Sequence, residues 1–82
     1  MSRADKAFAD LMGGQHDGNF SFDQLCALLI TLGYFVRRAK GRHVIFQREA
    51  DFLQLQATTG GKAKAYQVRH VRRELQTLNL KP

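Results

Sequence analysis

The sequence has few of the residues that build disulfides, metal sites or membrane spans. Its 82 residues include one cysteine, one proline and no tryptophan. The single Cys26 excludes a disulfide within the chain and a cysteine cluster for zinc, and we expect it to be a small buried apolar residue. No apolar segment approaches the roughly 20 residues of a membrane span, and no signal-peptide pattern follows Met1. We therefore expect a cytoplasmic protein with no membrane partner.

Motifs for metal and cofactor binding are also lacking. The three histidines, His16, His43 and His70, have no pair with the spacing typical of metal ligands. The short glycine-containing segment 60–62 does not match the phosphate-binding loops of nucleotide-binding proteins. We expect no metal and no small-molecule cofactor.

Positive charge is the first indication of function. The chain has 13 lysines and arginines against 7 aspartates and glutamates, for a net charge of +6. Residues 1–32 hold two basic and four acidic residues, whereas residues 33–82 hold eleven basic and three acidic residues. The carboxy-terminal part therefore carries +8, which favours a polyanionic partner, with nucleic acid first. A solvated charged surface is the alternative.

Three helices are predicted from the spacing of apolar residues. The first covers Asp5–Met12. The second begins after Ser21, because Gln24 follows at the capping-box spacing, and it ends at Gly33. The third covers Ala65–Asn79, where apolar residues recur three and four positions apart on one side and arginines occupy the other.

Three strands are predicted between the second and third helices, at residues 34–39, 42–48 and 52–56. A three-stranded antiparallel sheet cannot be covered on both faces by so short a chain, so we predict an α+β domain with the two larger helices on one face. The other face stays open and presents His43. We expect the aromatic residues of these strands to cover the core rather than to stack on bases: Tyr34, Phe35, Phe46 and Phe52.

His43 is the residue best suited to chemistry. It follows the turn at Gly41 and has Arg38, Lys40 and Arg42 close by in sequence. An imidazole beside several cations is suited to act as general acid or base in phosphodiester cleavage, while the cations bind the phosphate. An ordinary solvated histidine is the alternative. For His70, on the basic side of the last helix, we expect a surface or phosphate-contact role.

The central segment Leu32–Phe46 resembles the core of HicA-type toxins, the mRNA interferases of HicAB toxin–antitoxin systems. In that family a helix ends in Leu-Gly-Phe or similar, a strand follows, and Gly-Ser-His precedes an apolar strand ending in Phe. The segment Gly61–Val68 and the later Val71-Arg72 resemble a second family signature, Gly-Lys-Ala-Lys-Pro-Tyr-Gln-Val…Val-Arg. The resemblance covers residues 20–80. Arg42 stands where the family has serine, Ala65 where it has proline, and Arg69-His70 where it more often has Lys-Gln.

The resemblance implies a double-stranded-RNA-binding-domain-like fold of order α-β-β-β-α over residues 16–82. Residues 1–15 then form an extra amino-terminal helical extension. It also implies a toxin of a type II toxin–antitoxin system that acts in the stress response. Such a toxin is an endoribonuclease that cleaves mRNA without a metal and is blocked by a HicB-like antitoxin. By this resemblance His43 is the catalytic residue.

The remaining basic residues are predicted to hold the RNA backbone. Helix termini and basic helix faces are common phosphate contacts. The predicted RNA-binding residues are Lys40, Arg42, Lys62, Lys64, Arg69, Arg72 and Arg73. A second function from a different class stays open: a non-catalytic RNA-binding or partner-binding module on the same fold.

Overall fold

The fold is α+β, with three helices and a three-stranded antiparallel sheet, in a computed structural model that describes residues 2–82. The sheet has the strand order β1-β2-β3. A short 3₁₀ turn, Asp17–Asn19, separates the first two helices. The elements are α1 Arg3–Gly13, α2 Phe22–Thr31, β1 Phe35–Lys40, β2 His43–Arg48, β3 Asp51–Gln56 and α3 Ala65–Thr77. The predicted α+β class and order of elements are confirmed. Within residues 2–82, none of the helices combines the length and apolar character needed to cross a membrane.

Helix ends follow the capping signals of the sequence. The Ser21 hydroxyl accepts a hydrogen bond from the Gln24 amide at 3.2 Å, which confirms the predicted start of α2. Gly33 has a φ of 97°, a conformation that glycine adopts without strain, and it follows the end of α2. Helix α1 begins earlier than predicted because the Ser2 hydroxyl accepts from the Asp5 amide at 3.1 Å. Helix α3 ends earlier than predicted because Asn79 takes a φ of 54°.

The strand register decides which side chains share a face. Lys40 pairs with His43 across β1 and β2, and His43 pairs with Gln56 across β2 and β3. The alternation along β2 and β3 turns four residues toward the helices: Val44, Phe46, Leu53 and Leu55. An irregularity between Val36 and Arg38 inserts Arg37 as an extra residue in β1.

The core lies between one face of the sheet and the helices. Its fully buried side chains come from every helix and from two strands: Leu11, Leu25, Leu28, Leu29, Phe46, Leu53, Leu55, Val68, Val71 and Leu75. Because Ala7 and Leu11 of α1 belong to this cluster, the first helix packs on the same core as α2 and α3. The opposite face of the sheet is free of helices, as its exposed side chains show.

An ion pair joins α3 to the start of the chain. The Arg72 guanidinium donates to both carboxylate oxygens of Asp17, at 2.8 and 2.9 Å, and to the Leu11 carbonyl at 3.0 Å. The two side chains are 19% and 14% exposed. This hydrogen bond lowers the pKa of Asp17 below its ordinary value, and the charges of Arg72 and Arg69 lower it further. Arg72, predicted to hold RNA, is thus engaged within the fold.

We expect the contribution of Asp17 to stability to disappear in acid. A carboxylate with a depressed pKa stabilises the fold above its unfolded value near pH 4, and this stabilisation is lost as the pH falls through the folded value. The free energy of unfolding of Asp17→Asn, measured by urea denaturation, should fall below that of the wild type at pH 7. The difference should shrink below about pH 4. If the difference in free energy of unfolding stayed constant with pH, or if Asp10→Asn produced the same difference, the effect could not be assigned to the Asp17 carboxylate.

Candidate nucleic-acid interface

The helix-free side of the sheet, called the open face below, consists of three rows of side chains across the strands. Residues paired in register lie on the same face of a sheet. The rows are Lys40–His43–Gln56, then Arg38–Ile45–Gln54, then Phe35–Gln47–Phe52. Successive rows are separated by about 7 Å, two residues along a strand. The open face therefore has cations and a histidine at one end and aromatic rings at the other.

His43 lies at the cationic end, exposed to solvent. Arg38, Lys40 and Arg42 line a shallow depression of about 690 Å³ together with His43. The tight turn at Gly41, with a φ of 59°, brings the end of β1 beside the start of β2 and so places these cations around the imidazole. The predicted residues His43, Lys40 and Arg42 are thus brought together. Such a depression is suited to a phosphate of a polyanion.

Arg37 is a cation of the open face that sequence reasoning missed. Its guanidinium donates to Gln47 Oε1 at 2.7 Å and lies 5.5 Å from the centre of the Phe52 ring. Both partners belong to the open face, so Arg37 does as well. Strict alternation along β1 does not place Arg37 and Arg38 on the same face, and the extra residue in β1 makes this possible. No signal in the sequence marks that bulge.

The aromatic residues divide between the core and the open face. Tyr34 and Phe46 are 2% and 1% exposed, as predicted. Phe35 and Phe52 are instead 52% and 51% exposed, so their assignment to the core was wrong. The physical reason is register, because both flank Gln47 across the sheet and share its outward direction. Half-exposed rings beside arginines are typical of surfaces on which nucleic-acid bases stack.

Helix α3 contacts the sheet close to His43. The Gln56 amide donates to Gln67 Oε1 at 2.8 Å, which fixes the first turn of α3 against the end of β3. Lys64 Nζ donates to Gln56 Oε1 at 2.7 Å, so this predicted RNA-binding cation lies beside the row that contains His43. A second depression, of about 470 Å³, is lined by His43 together with Tyr66 and His70. The His43 side chain therefore borders two depressions.

The other predicted RNA-binding residues are spread more widely. Arg73 lies on the exposed side of α3 that carries Tyr66, since residues seven apart share a helix face. Arg69 is exposed and contributes to lowering the pKa of Asp17, which places it toward the Asp17 side of α3. Lys62 pairs with Ser21 in an isolated bridge, next to the start of α2. We therefore exclude Arg72 from the candidate interface and assign Lys62 and Arg69 to its periphery.

Cys26 lies outside this interface. Burial, followed by the charge of Asp23, raises the pKa of the Cys26 thiol to about 11, which keeps it protonated and unreactive near neutral pH. Within residues 2–82, no three histidine, cysteine, aspartate or glutamate side chains are grouped so as to hold a metal ion.

Comparisons of this chain with protein families, with characterised proteins and with solved structures give no match.

Proposed function

We propose that this protein is a HicA-like endoribonuclease toxin that cleaves mRNA, with His43 as its catalytic residue. The observation that carries the proposal is an exposed imidazole beside three cations, Arg38, Lys40 and Arg42, on an open sheet face. The order of α2, three strands and α3, with both helices on one side, is consistent with a double-stranded-RNA-binding-domain-like fold. Helix α1 is additional to that arrangement.

The proposed chemistry needs only the substrate and the side chains of the open face. The RNA 2′-hydroxyl attacks the neighbouring phosphorus, and His43 transfers a proton as general acid or base. The cations beside His43 bind the phosphate and stabilise the charge that builds up on its oxygens in the transition state. Lys64 and Arg73 extend this positive surface along α3, where they hold the RNA backbone.

The same surface suits control by a protein partner. A HicB-like antitoxin that covers His43 would block the phosphate depression and the exposed rings of Phe35 and Phe52 together. In this proposal toxin and antitoxin meet in the cytoplasm, where mRNA is available to the free toxin.

Incubation of the purified protein with a long mRNA in EDTA tests the proposal. We expect fragments on a denaturing gel, and each cut should leave a 2′,3′-cyclic phosphate on the upstream fragment and a 5′-hydroxyl on the downstream fragment. Attack by the 2′-oxygen leaves these ends, whereas attack by water leaves others. Intact RNA after incubation with folded protein would reject the nuclease.

The second candidate function is RNA binding without cleavage. Arg42 favours it, because a long cation replaces the serine of the HicA pattern directly before His43. This alternative predicts salt-sensitive binding of RNA, since phosphate contacts release counterions, and no products in the same gel. Arg42→Ser would then be the first variant to test for recovered cleavage.

Phe52→Ala should weaken binding of single-stranded RNA. We expect a loss of about 1–3 kcal/mol of binding free energy, because the half-exposed ring offers a stacking surface beside Arg37. Fluorescence anisotropy with a 2′-O-methyl oligonucleotide measures binding, since that RNA has no free 2′-hydroxyl for cleavage. Ile30→Ala is the matched control, because Ile30 is 51% exposed on α2. Equal affinities of the two variants would reject the stacking role.

A further inference from the structure

We propose that His70 is the second proton-transfer residue of the nuclease, so that His43 and His70 divide the roles of general acid and general base. The inference depends on the proposed RNA cleavage. The observation behind it does not involve the cations around His43. His43 of β2 and His70 of α3 line the same depression, of about 470 Å³. From the sequence we expect only a surface or phosphate-contact role for His70, on the basic side of the last helix.

A chain of specific contacts brings the two histidines to one place. His43 pairs in register with Gln56, the last residue of β3. The Gln56 amide donates to the buried side chain of Gln67 at 2.8 Å, which fixes the first turn of α3 at this position. His70 follows Gln67 by three residues and Tyr66 by four, so it lies on the same side of α3, one turn further along.

The depression has charged neighbours, but proton transfer within it is assigned to the two histidines. Of the residues that line it, only the two histidines carry an imidazole, the group that exchanges protons near neutral pH. Both are exposed, so RNA has access to both rings. Tyr66 is the other titratable residue of the lining. Lys40 and Arg42 share the neighbouring depression with His43, and Lys64 donates to Gln56, which lines both depressions. On α3, Arg73 and Glu74 follow His70 by three and four residues.

Cleavage by the 2′-hydroxyl requires two proton transfers at opposite ends of the reacting phosphate. The bond from O2′ to phosphorus forms while the bond from phosphorus to O5′ breaks. One imidazole accepts the proton of the 2′-hydroxyl, and the other, protonated, donates a proton to the departing O5′. The products are a 2′,3′-cyclic phosphate and a 5′-hydroxyl, with all protons accounted for by the two histidines. A phosphate bound in the depression that His43 and His70 both line would have one imidazole for each transfer.

The test compares two leaving groups in single-turnover cleavage. One RNA substrate has the natural oxygen at the scissile 5′ position, and the other has sulfur, which departs without a proton. On the oxygen substrate we expect His43→Ala and His70→Ala each to reduce the rate by about 100-fold or more. On the sulfur substrate the variant that lacks the general acid should recover most of the wild-type rate, and the variant that lacks the base should not.

Controls separate this inference from the proposed function. His16→Ala removes the remaining histidine, in the loop before α2, and should cleave both substrates as the wild type does. Wild-type protein that cleaves neither substrate would refute the nuclease itself. An active wild type together with a His70→Ala variant within three-fold of it would overturn the role of His70 alone. An equal response of both histidine variants to sulfur would also overturn it, because acid and base would then not be divided between them.

Discussion

His43→Ala should abolish RNA cleavage while leaving the fold and RNA binding intact. General acid–base catalysis contributes about 10²–10⁴-fold to a rate, so the variant should fall to near the uncatalysed background on a gel. The side chain is exposed and its partners in register are Lys40 and Gln56, so its removal leaves no cavity in the core. Urea denaturation should therefore give a free energy of unfolding within about 0.5 kcal/mol of the wild type.

Two further measurements make the His43 result decisive. Binding of a 2′-O-methyl RNA to His43→Ala should match the wild type within a few-fold, since the cations around the depression remain. Expression of the wild type in bacteria should stop growth, and expression of the variant should not. A variant that still cuts RNA in EDTA would show that another group performs the chemistry and that the catalytic assignment is wrong.

Arg72→Ala should destabilise the fold by about 3 kcal/mol, as expected when one partner of a largely buried ion pair is removed. The change leaves the Asp17 carboxylate without its two guanidinium hydrogen bonds and the Leu11 carbonyl without its donor. A domain of this size has a stability on the order of 5 kcal/mol. Most of the stability would then be lost, and urea denaturation at pH 7 should show an early midpoint.

Arg73→Ala is the matched control for Arg72→Ala. Arg73 is the next residue in α3, so its substitution removes the same charge. Unlike Arg72, it is exposed and forms no salt bridge with the described residues. We expect its stability to stay within about 0.5 kcal/mol of the wild type, and its RNA affinity to fall with a weaker dependence on salt. If both variants lost stability equally, the Asp17 contact would not be the cause.

The predictable part of the fold was local. The cap at Ser21 and the turn at Gly33 that follows α2 depend on neighbours three or fewer residues away, so the local sequence contains the groups involved. The strand alternation of Val44 and Phe46 is likewise a property of a few adjacent residues. At the start of the chain the Ser2 cap is the same kind of local signal, and apolar periodicity alone does not contain it.

The candidate site was predictable in part. His43, Lys40 and Arg42 are within four residues of one another, and the turn at Gly41 brings them together whatever the rest of the chain does. Phe52 could be placed in a similar way, because alternation with the core residue Leu53 turns it to the open face. Arg37 could not, because it reaches the open face through an irregularity that only pairing with β2 creates.

Residues close together in the chain were enough to predict the α+β class, the order of the elements, the basic carboxy-terminal part and the exposed histidine. Which cations are left exposed depends instead on contacts between distant parts of the chain. Arg72 and Arg73 are adjacent and chemically identical, yet one is bound to Asp17, 55 residues away, and the other is exposed. The same long-range packing brought His70 to His43. The free energy of such contacts depends on the distance between the groups in space, and that distance cannot be read from their positions along the chain.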